Sequence, residues 1–113
     1  MSDTLFGRIS RHETDTPLLY EDDQVVVFRD IYPKAPVHLL IVPKKPLASL
    51  ATAGDGDRDL LGHLLLVARR LADEHRLTGR GYKIVLNTGA DAGQTVPHLH
   101  LHLLGGTRLD GVT

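Results

Sequence analysis

The amino-acid sequence predicts an α+β fold: a five-stranded, mostly antiparallel sheet with one long and one short helix packed on one face. Three observations carry this expectation. Between Asp57 and Leu77, apolar residues at 60, 61, 64, 65, 68, 71 and 72 recur with the period of an amphipathic helix. Short β-branched and apolar runs, bounded by Pro, Gly or Asp, lie before and after that stretch. Finally, Val96 to Leu104 alternates histidine with leucine, a period of two that only a strand sorts onto two unlike faces.

Taken in order, Thr4 to Arg11 places Leu5, Phe6 and Ile9 at helical spacing behind Asp3 or Thr4 as N-cap, which gives the short helix. Leu18 to Glu21 is the first strand, closed by a tight turn at Asp22-Asp23. Val25 to Arg29, β-branched and aromatic, is the second. Pro33 and Pro36 assign Asp30 to Val37 to a loop. His38 to Val42 is the third strand, ended by Pro43, and its unbroken apolar run predicts burial on both faces. Asp55 or Asp57 caps the long helix, and Gly79 and Gly81 stop it. Tyr82 to Asn87 is the fourth strand, Thr88 to Thr95 a Gly- and Asp-rich connection, and the histidine segment the fifth. Its Leu99, Leu101 and Leu103 would face the helices, with the histidines opposite or at a cleft.

Composition narrows the function classes. A chain of 113 residues is expected to form one domain, 1–113, with a genuine core. Without cysteine, neither a disulfide framework nor a thiolate metal site can form. No apolar run approaches the ~20 residues of a membrane span, and Met1 to Thr4 shows no secretory pattern, so a cytoplasmic protein is expected. The net charge is −1, and only three Tyr, two Phe and no Trp are present, so neither a basic surface nor a stacking platform for nucleic acid is expected. A small anion remains a suitable ligand, because backbone nests bind one without net positive charge.

The row His98, His100 and His102 admits three uses. It could be a solvated sheet face. It could hold a metal, with His38 as an extra ligand, but on a straight strand the outer two Cα atoms lie about 13 Å apart. Or it could carry phosphoryl chemistry, because the preceding Asn87 to Thr95 supplies an amide, a hydroxyl and Gly-rich backbone to the mouth of the strand. An imidazole beside such a cradle is placed to attack phosphorus. Asp55 to Asp59 looks like the start of a calcium loop, but Leu60 and Leu66 stand where glycine and glutamate are needed. His12, His63 and His75 have no partners in the pattern and are expected at the surface.

His98-Leu99-His100-Leu101-His102-Leu103-Leu104 resembles the histidine triad signature that names the histidine triad (HIT) superfamily. Leu5 to Ile9, Phe28 to Ile31, Ala35 to His38, Val42 to Lys45 and Gly93 to Val96 are similar to the family's other segments, in its order, as far as about Gly106. Leu104-Gly105-Gly106 is similar to the Hint branch of nucleoside phosphoramidases rather than to the Fhit branch of dinucleoside polyphosphate hydrolases. The resemblance implies a homodimer with one continuous sheet and metal-independent, cofactor-free hydrolysis of purine nucleoside 5′-phosphoramidates. A dinucleoside polyphosphate hydrolase and a nucleotide-binding module with little turnover are the alternatives. The resemblance makes His100 the nucleophile, His102 the contact to the phosphate or bridging atom, and His98 the residue that orients His100. His38 extends the relay. Asn87, Gly93, Gln94, Thr95 and the backbone at Val96 would hold the phosphate, Thr95 also serving as proton donor to the leaving amine. Asp30 would bind the ribose, and Leu5, Phe6, Ile9, Phe28 and Ile31 would enclose the base. Thr95 stands where serine is usual, Pro97 where an aromatic is frequent, and the tail after Thr107 lacks the tryptophan-containing end of some Hint proteins.

Overall fold

In a computed structural model, which describes residues 3–111, the chain runs α1 (Leu5–Ser10), β1 (Tyr20–Glu21), β2 (Val25–Arg29), β3 (Val37–Pro43), α2 (Arg58–Glu74), β4 (Lys83–Val85) and β5 (Leu101–Gly105). Short 3₁₀ turns at Leu50–Thr52, Asp55–Asp57 and Ala90–Ala92, which no periodicity announces, fill the connections. The strands form one sheet in the order β1-β2-β3-β5-β4, and every neighbouring pair is antiparallel. This is the expected α+β fold. At the hairpin between β1 and β2, Asp22 Oδ1 accepts the N–H groups of Gln24 and Val25 at 2.8 and 2.9 Å, the local bonding that makes Asp a turn residue.

One correction concerns the layers. The helices cover opposite faces of the sheet, not one face. Leu60, Leu64, Val67, Ala68 and Leu71 of α2 pack on Val25, Val27, Leu39, Ile41, Leu101 and Leu103. Phe6 and Ile9 of α1 pack on Val26, Phe28, Leu40 and Val42 on the other side. That is why β2 and β3 bury consecutive apolar residues, as the unbroken run in β3 predicts. Fully burying each leucine contributes about 1.5–3 kcal/mol, so the α2 face holds the fold together. Leu65 falls outside this stripe and is exposed, while Val67 takes a core position.

A second correction concerns how the helices end. α2 stops at Glu74, before either glycine, and Arg76 adopts the left-handed conformation at φ 59°. Leu77 N–H donates to Ala72 O at 2.8 Å and Arg76 N–H to Asp73 O at 3.0 Å, which is a Schellman motif. α1 ends the same way, with His12 at φ 61°, Glu13 N–H on Arg8 O and His12 N–H on Ile9 O. At its start, Thr4 is the expected N-cap, its hydroxyl accepting Gly7 N–H at 3.0 Å. A side chain in the left-handed region is strained where glycine is not. Arg76→Gly is therefore expected to raise stability by about 0.5–1 kcal/mol, read as a higher denaturation midpoint at unchanged m-value.

The third correction lies in β5, which begins at Leu101. His98 and His100 precede it, and of the triad only His102 sits in the ladder, opposite Leu40 of β3 and Val85 of β4. The observed strands β1 and β4 are also shorter than the expected 18–21 and 82–87.

Candidate active site

The histidines are not an open row. His98 is 1% exposed and His100 8%, because α1 closes over their side of the sheet. The Phe6 ring stands edge-on to His100, with centroids 4.8 Å apart at 89°. Leu99, Leu101 and Leu103 are buried on the α2 side as expected.

Hydrogen-bond partners fix each ring's tautomer. A carbonyl can only accept and a backbone N–H can only donate, so each ring nitrogen facing one has its proton decided. His100 Nδ1–H donates to the carbonyl of His98 at 2.7 Å, leaving Nε2 with a free lone pair. His98 Nε2–H donates to the carbonyl of Pro43 at 2.8 Å, and its Nδ1 accepts from the Thr4 hydroxyl at 3.5 Å. The Lys34 N–H donates to His38 Nδ1 at 3.0 Å, so the proton of His38 is on Nε2. That proton goes to His102 Nδ1, 2.9 Å away, and His102 consequently presents Nε2–H. The neutral site thus offers one lone pair, on His100, beside one N–H donor, on His102; their rings lie 5.1 Å apart between centroids.

All four rings are held neutral. Burial pushes each of them below the ordinary histidine value. His102 is brought down to about 4, by burial first and then by the neighbouring His100 and His38. For His100, the hydrogen bond to the His98 carbonyl and the Asp30 carboxylate pull the other way without reversing the direction.

Asp30 serves two neighbours. Its Oδ1 accepts Tyr32 N–H at 2.8 Å, the turn role open to any Asp, and its Oδ2 lies 3.4 Å from His38 Nε2. Asp30, His38 and His102 bring one potential metal-ligand atom each within 4.8 Å of the others, although the two imidazole nitrogens already share a proton. Asn87 lines a cavity of about 20 Å³ with Lys34, Val85, His38 and His102, room for a single water.

The loop before the triad differs from expectation at Gln94. Its amide Nε2 donates to Ala48 O and Val96 O at 2.8 and 3.0 Å, and its Oε1 accepts Gly89 N–H at 2.8 Å. Its backbone N–H is taken by Gly89 O. Gln94 therefore braces the loop and has no donor left for a phosphate. Gly93 supplies the left-handed residue of that loop at φ 85°. Thr95 is exposed, and its N–H and that of Val96 make no hydrogen bond among the described residues, which leaves two successive donors at the mouth of the site. The apolar set also divides: Phe6, Ile9 and Phe28 are buried core, whereas Leu5 and Ile31 are 50% and 77% exposed. Lys34, Pro43 and Thr4, which orient His38 and His98, carry no sequence signal of that role. His12, His63 and His75 are engaged elsewhere, with Glu21, Asp22 and Leu71 O.

Residues 11–109 match the model of the HIT domain. The chain belongs to the HIT family. Within it, an uncharacterized HIT-like protein of Synechococcus elongatus is 51% identical over 107 residues, covering 95% of this chain and 93% of that one. Among solved structures, the HIT family hydrolase from Legionella pneumophila superposes with a TM-score of 0.94 at 42% identity, covering 96% of each chain. The histidine triad nucleotide-binding protein from Candida albicans superposes with a TM-score of 0.81 at 30% identity, covering 98% of this chain and 86% of that one. The five-stranded antiparallel sheet with one long helix is thus the HIT fold. Among the described residues no helix is long and apolar enough to cross a membrane.

Proposed function

We propose that this protein hydrolyses purine nucleoside 5′-phosphoramidates, as the Hint branch does, through a nucleotidyl-histidine intermediate and without a metal. The observation that carries the reading is the tautomer of His100: its Nδ1–H is spent on the His98 carbonyl, so Nε2 is a lone pair at neutral pH. In the first step Nε2 of His100 bonds to phosphorus, and the P–N bond to the amine breaks. The amine leaves with a proton from the Thr95 hydroxyl, while His102 Nε2–H hydrogen-bonds the phosphoryl oxygens or the bridging atom. The positive charge gained by His100 is met by the His98 carbonyl and by Asp30. In the second step water attacks phosphorus and the P–N bond to His100 breaks. AMP is released, the lone pair returns to Nε2, and the proton of water goes to Thr95. Asn87 and the N–H groups of Thr95 and Val96 hold the phosphate, with Gln94 and Gly93, whose own N–H is taken by Ala90 O, keeping their loop in shape. Asp30 binds the ribose, and Leu5 and Ile31 take the base against Phe6. The names hydrolase and nucleotide-binding protein, borne by the Legionella and Candida relatives, support the class.

Rapid quenching with adenosine 5′-phosphoramidate in EDTA tests this. Intact-mass analysis is expected to find one adenylyl group per chain, mapped to His100. Steady turnover with no adduct at any quench time would overturn the covalent route. The proposal includes a homodimer joined along β4, an edge strand with partly buried Ile84 and Val85 and no partner on its outer side among the described residues. Sedimentation is expected to give twice the chain mass, and Ile84→Lys with Val85→Lys the single-chain mass.

A further inference from the structure

Beyond the histidines, one cavity stands out by charge. A space of about 350 Å³ opens where α2 and β5 end and β3 begins, with Arg76, Arg80, Arg108 and His75 in its wall. No carboxylate lines it. It lies on the α2 side of the sheet, since of its lining residues Leu77 belongs to the α2 core and Val37 packs against it. The catalytic histidines face α1 on the other side. The chain as a whole has one more acid than base, so three guanidinium groups around one hollow are a local concentration. A second, separate hollow of about 200 Å³ shares Val37 and His75 with the first and adds Arg29, but His38 also lines it, so it borders the histidine site. Asp30 is the sole acid of that wall, and its carboxylate is engaged by Tyr32 N–H and lies near His38.

Helix capping does not account for the arginines. The carbonyls of Leu71, Ala72 and Asp73 in the last turn of α2 are already taken by backbone N–H groups of His75, Leu77 and Arg76, and Leu71 O also by His75 Nδ1. Nor do ion pairs. Among the described residues Arg76 and Arg80 have no acidic partner, and Arg108 has only the exposed Asp110 at 3.1 Å, a surface pair screened by water. Arg76 moreover occupies a left-handed position that glycine would fill without strain. All three arginines are exposed to water, and what marks the place is three guanidinium groups around one hollow without a carboxylate, one of them held in a strained backbone conformation, a setting that suits an anionic ligand. Guanidinium groups offer forked donors that match phosphate oxygens.

We propose that this cavity is a second anion site, on the opposite face from the histidines, which takes a small molecule bearing two or more phosphate groups. Arg76 and Arg80 are its principal contacts and Arg108 closes over the bound group by giving up Asp110. The volume suits a short polyphosphate or the phosphate tail of a nucleotide.

The test uses inorganic tripolyphosphate, titrated calorimetrically into the full chain, into Arg76→Gly, into Arg76→Ala with Arg80→Ala, and into His100→Gln with His102→Gln. The expected result is saturable binding at one site per chain. It should weaken at least tenfold in the double arginine variant and survive within threefold in the double histidine variant. Arg76→Gly is the decisive control, because its denaturation midpoint is expected to rise while its affinity falls. No saturable binding to the unaltered chain would overturn the proposal. So would binding that survives the arginine changes, or binding abolished by the histidine changes, which would place the anion at the triad. None of these outcomes depends on whether phosphoramidates are substrates.

Discussion

Replacing His100 with alanine is expected to slow AMP release from adenosine 5′-phosphoramidate by at least about 10³-fold, because covalent catalysis is lost with its nucleophile. His100 is buried against Phe6, so the alanine variant also leaves a void. His100→Gln separates the two effects. Its side-chain amide can still donate to the His98 carbonyl and nearly fills the space, so the fold is retained while the lone pair on Nε2 is gone. Both variants should lose the quenched adduct, and His100→Gln should keep its melting temperature close to that of the unaltered chain. Full activity in either would sink the mechanism. His98 provides the contrast within the triad: its ring touches Pro43 O and Thr4 rather than the open side of the site. His98→Gln should therefore lower kcat less than His100→Gln, because it leaves the carbonyl that orients His100 in the backbone.

That distinction explains which parts of the site could be read from the residues. The α2 helix, the burial of β3 and the inward Leu99, Leu101 and Leu103 are periodic, and period survives whatever the tertiary context. The roles within the triad are not periodic. They depend on which carbonyl or N–H meets each ring nitrogen, and these groups come from chain-distant places: Pro43 is 55 residues from His98, and His38 is 64 from His102. Alternation suggested histidines on a face, and the residue types suggested chemistry, but only the resemblance to the HIT family separated the three. Strand period gives two faces without saying what covers the second, so it does not reveal α1 over His100. Gly79 and Gly81 were natural stops for α2, yet backbone bonds from Leu77 and Arg76 ended it earlier. Gln94 carries the right chemistry for a phosphate, and nothing in its neighbours reveals that Ala48 and Gly89 claim its amide.

The second large effect is on stability, and it follows from the neutral histidines. The folded value of His102 is about 4, against about 6.5 for the exposed side chain. Below pH 6.5 the unfolded chain therefore binds protons that the folded chain refuses. The slope of unfolding free energy with pH is then positive: stability is fully present above pH 6.5 and is lost as pH falls toward 4. From His102 alone the loss between pH 7 and 4.5 is roughly 2 kcal/mol. His38, His98 and His100, whose values are also lowered by burial, add to it with the same sign. Carboxylates, Glu13 and Glu21 among them, add to the decline only at the acid end of this window, because hydrogen bonds and ion pairs lower their values as well. Asp22 illustrates why: burial works against it, yet hydrogen bonds from Tyr20, Gln24, His63 and Val25 hold it at about 2, so its contribution is lost only below about pH 4. Urea denaturation at half-unit steps between pH 7 and 4.5 is expected to show this decline. His102→Gln and His98→Gln should flatten the slope, whatever they do to stability at pH 7, because each removes one group that binds its proton more weakly in the fold than in the unfolded chain. A slope unchanged in both variants would mean that these rings already carry their protons in the fold.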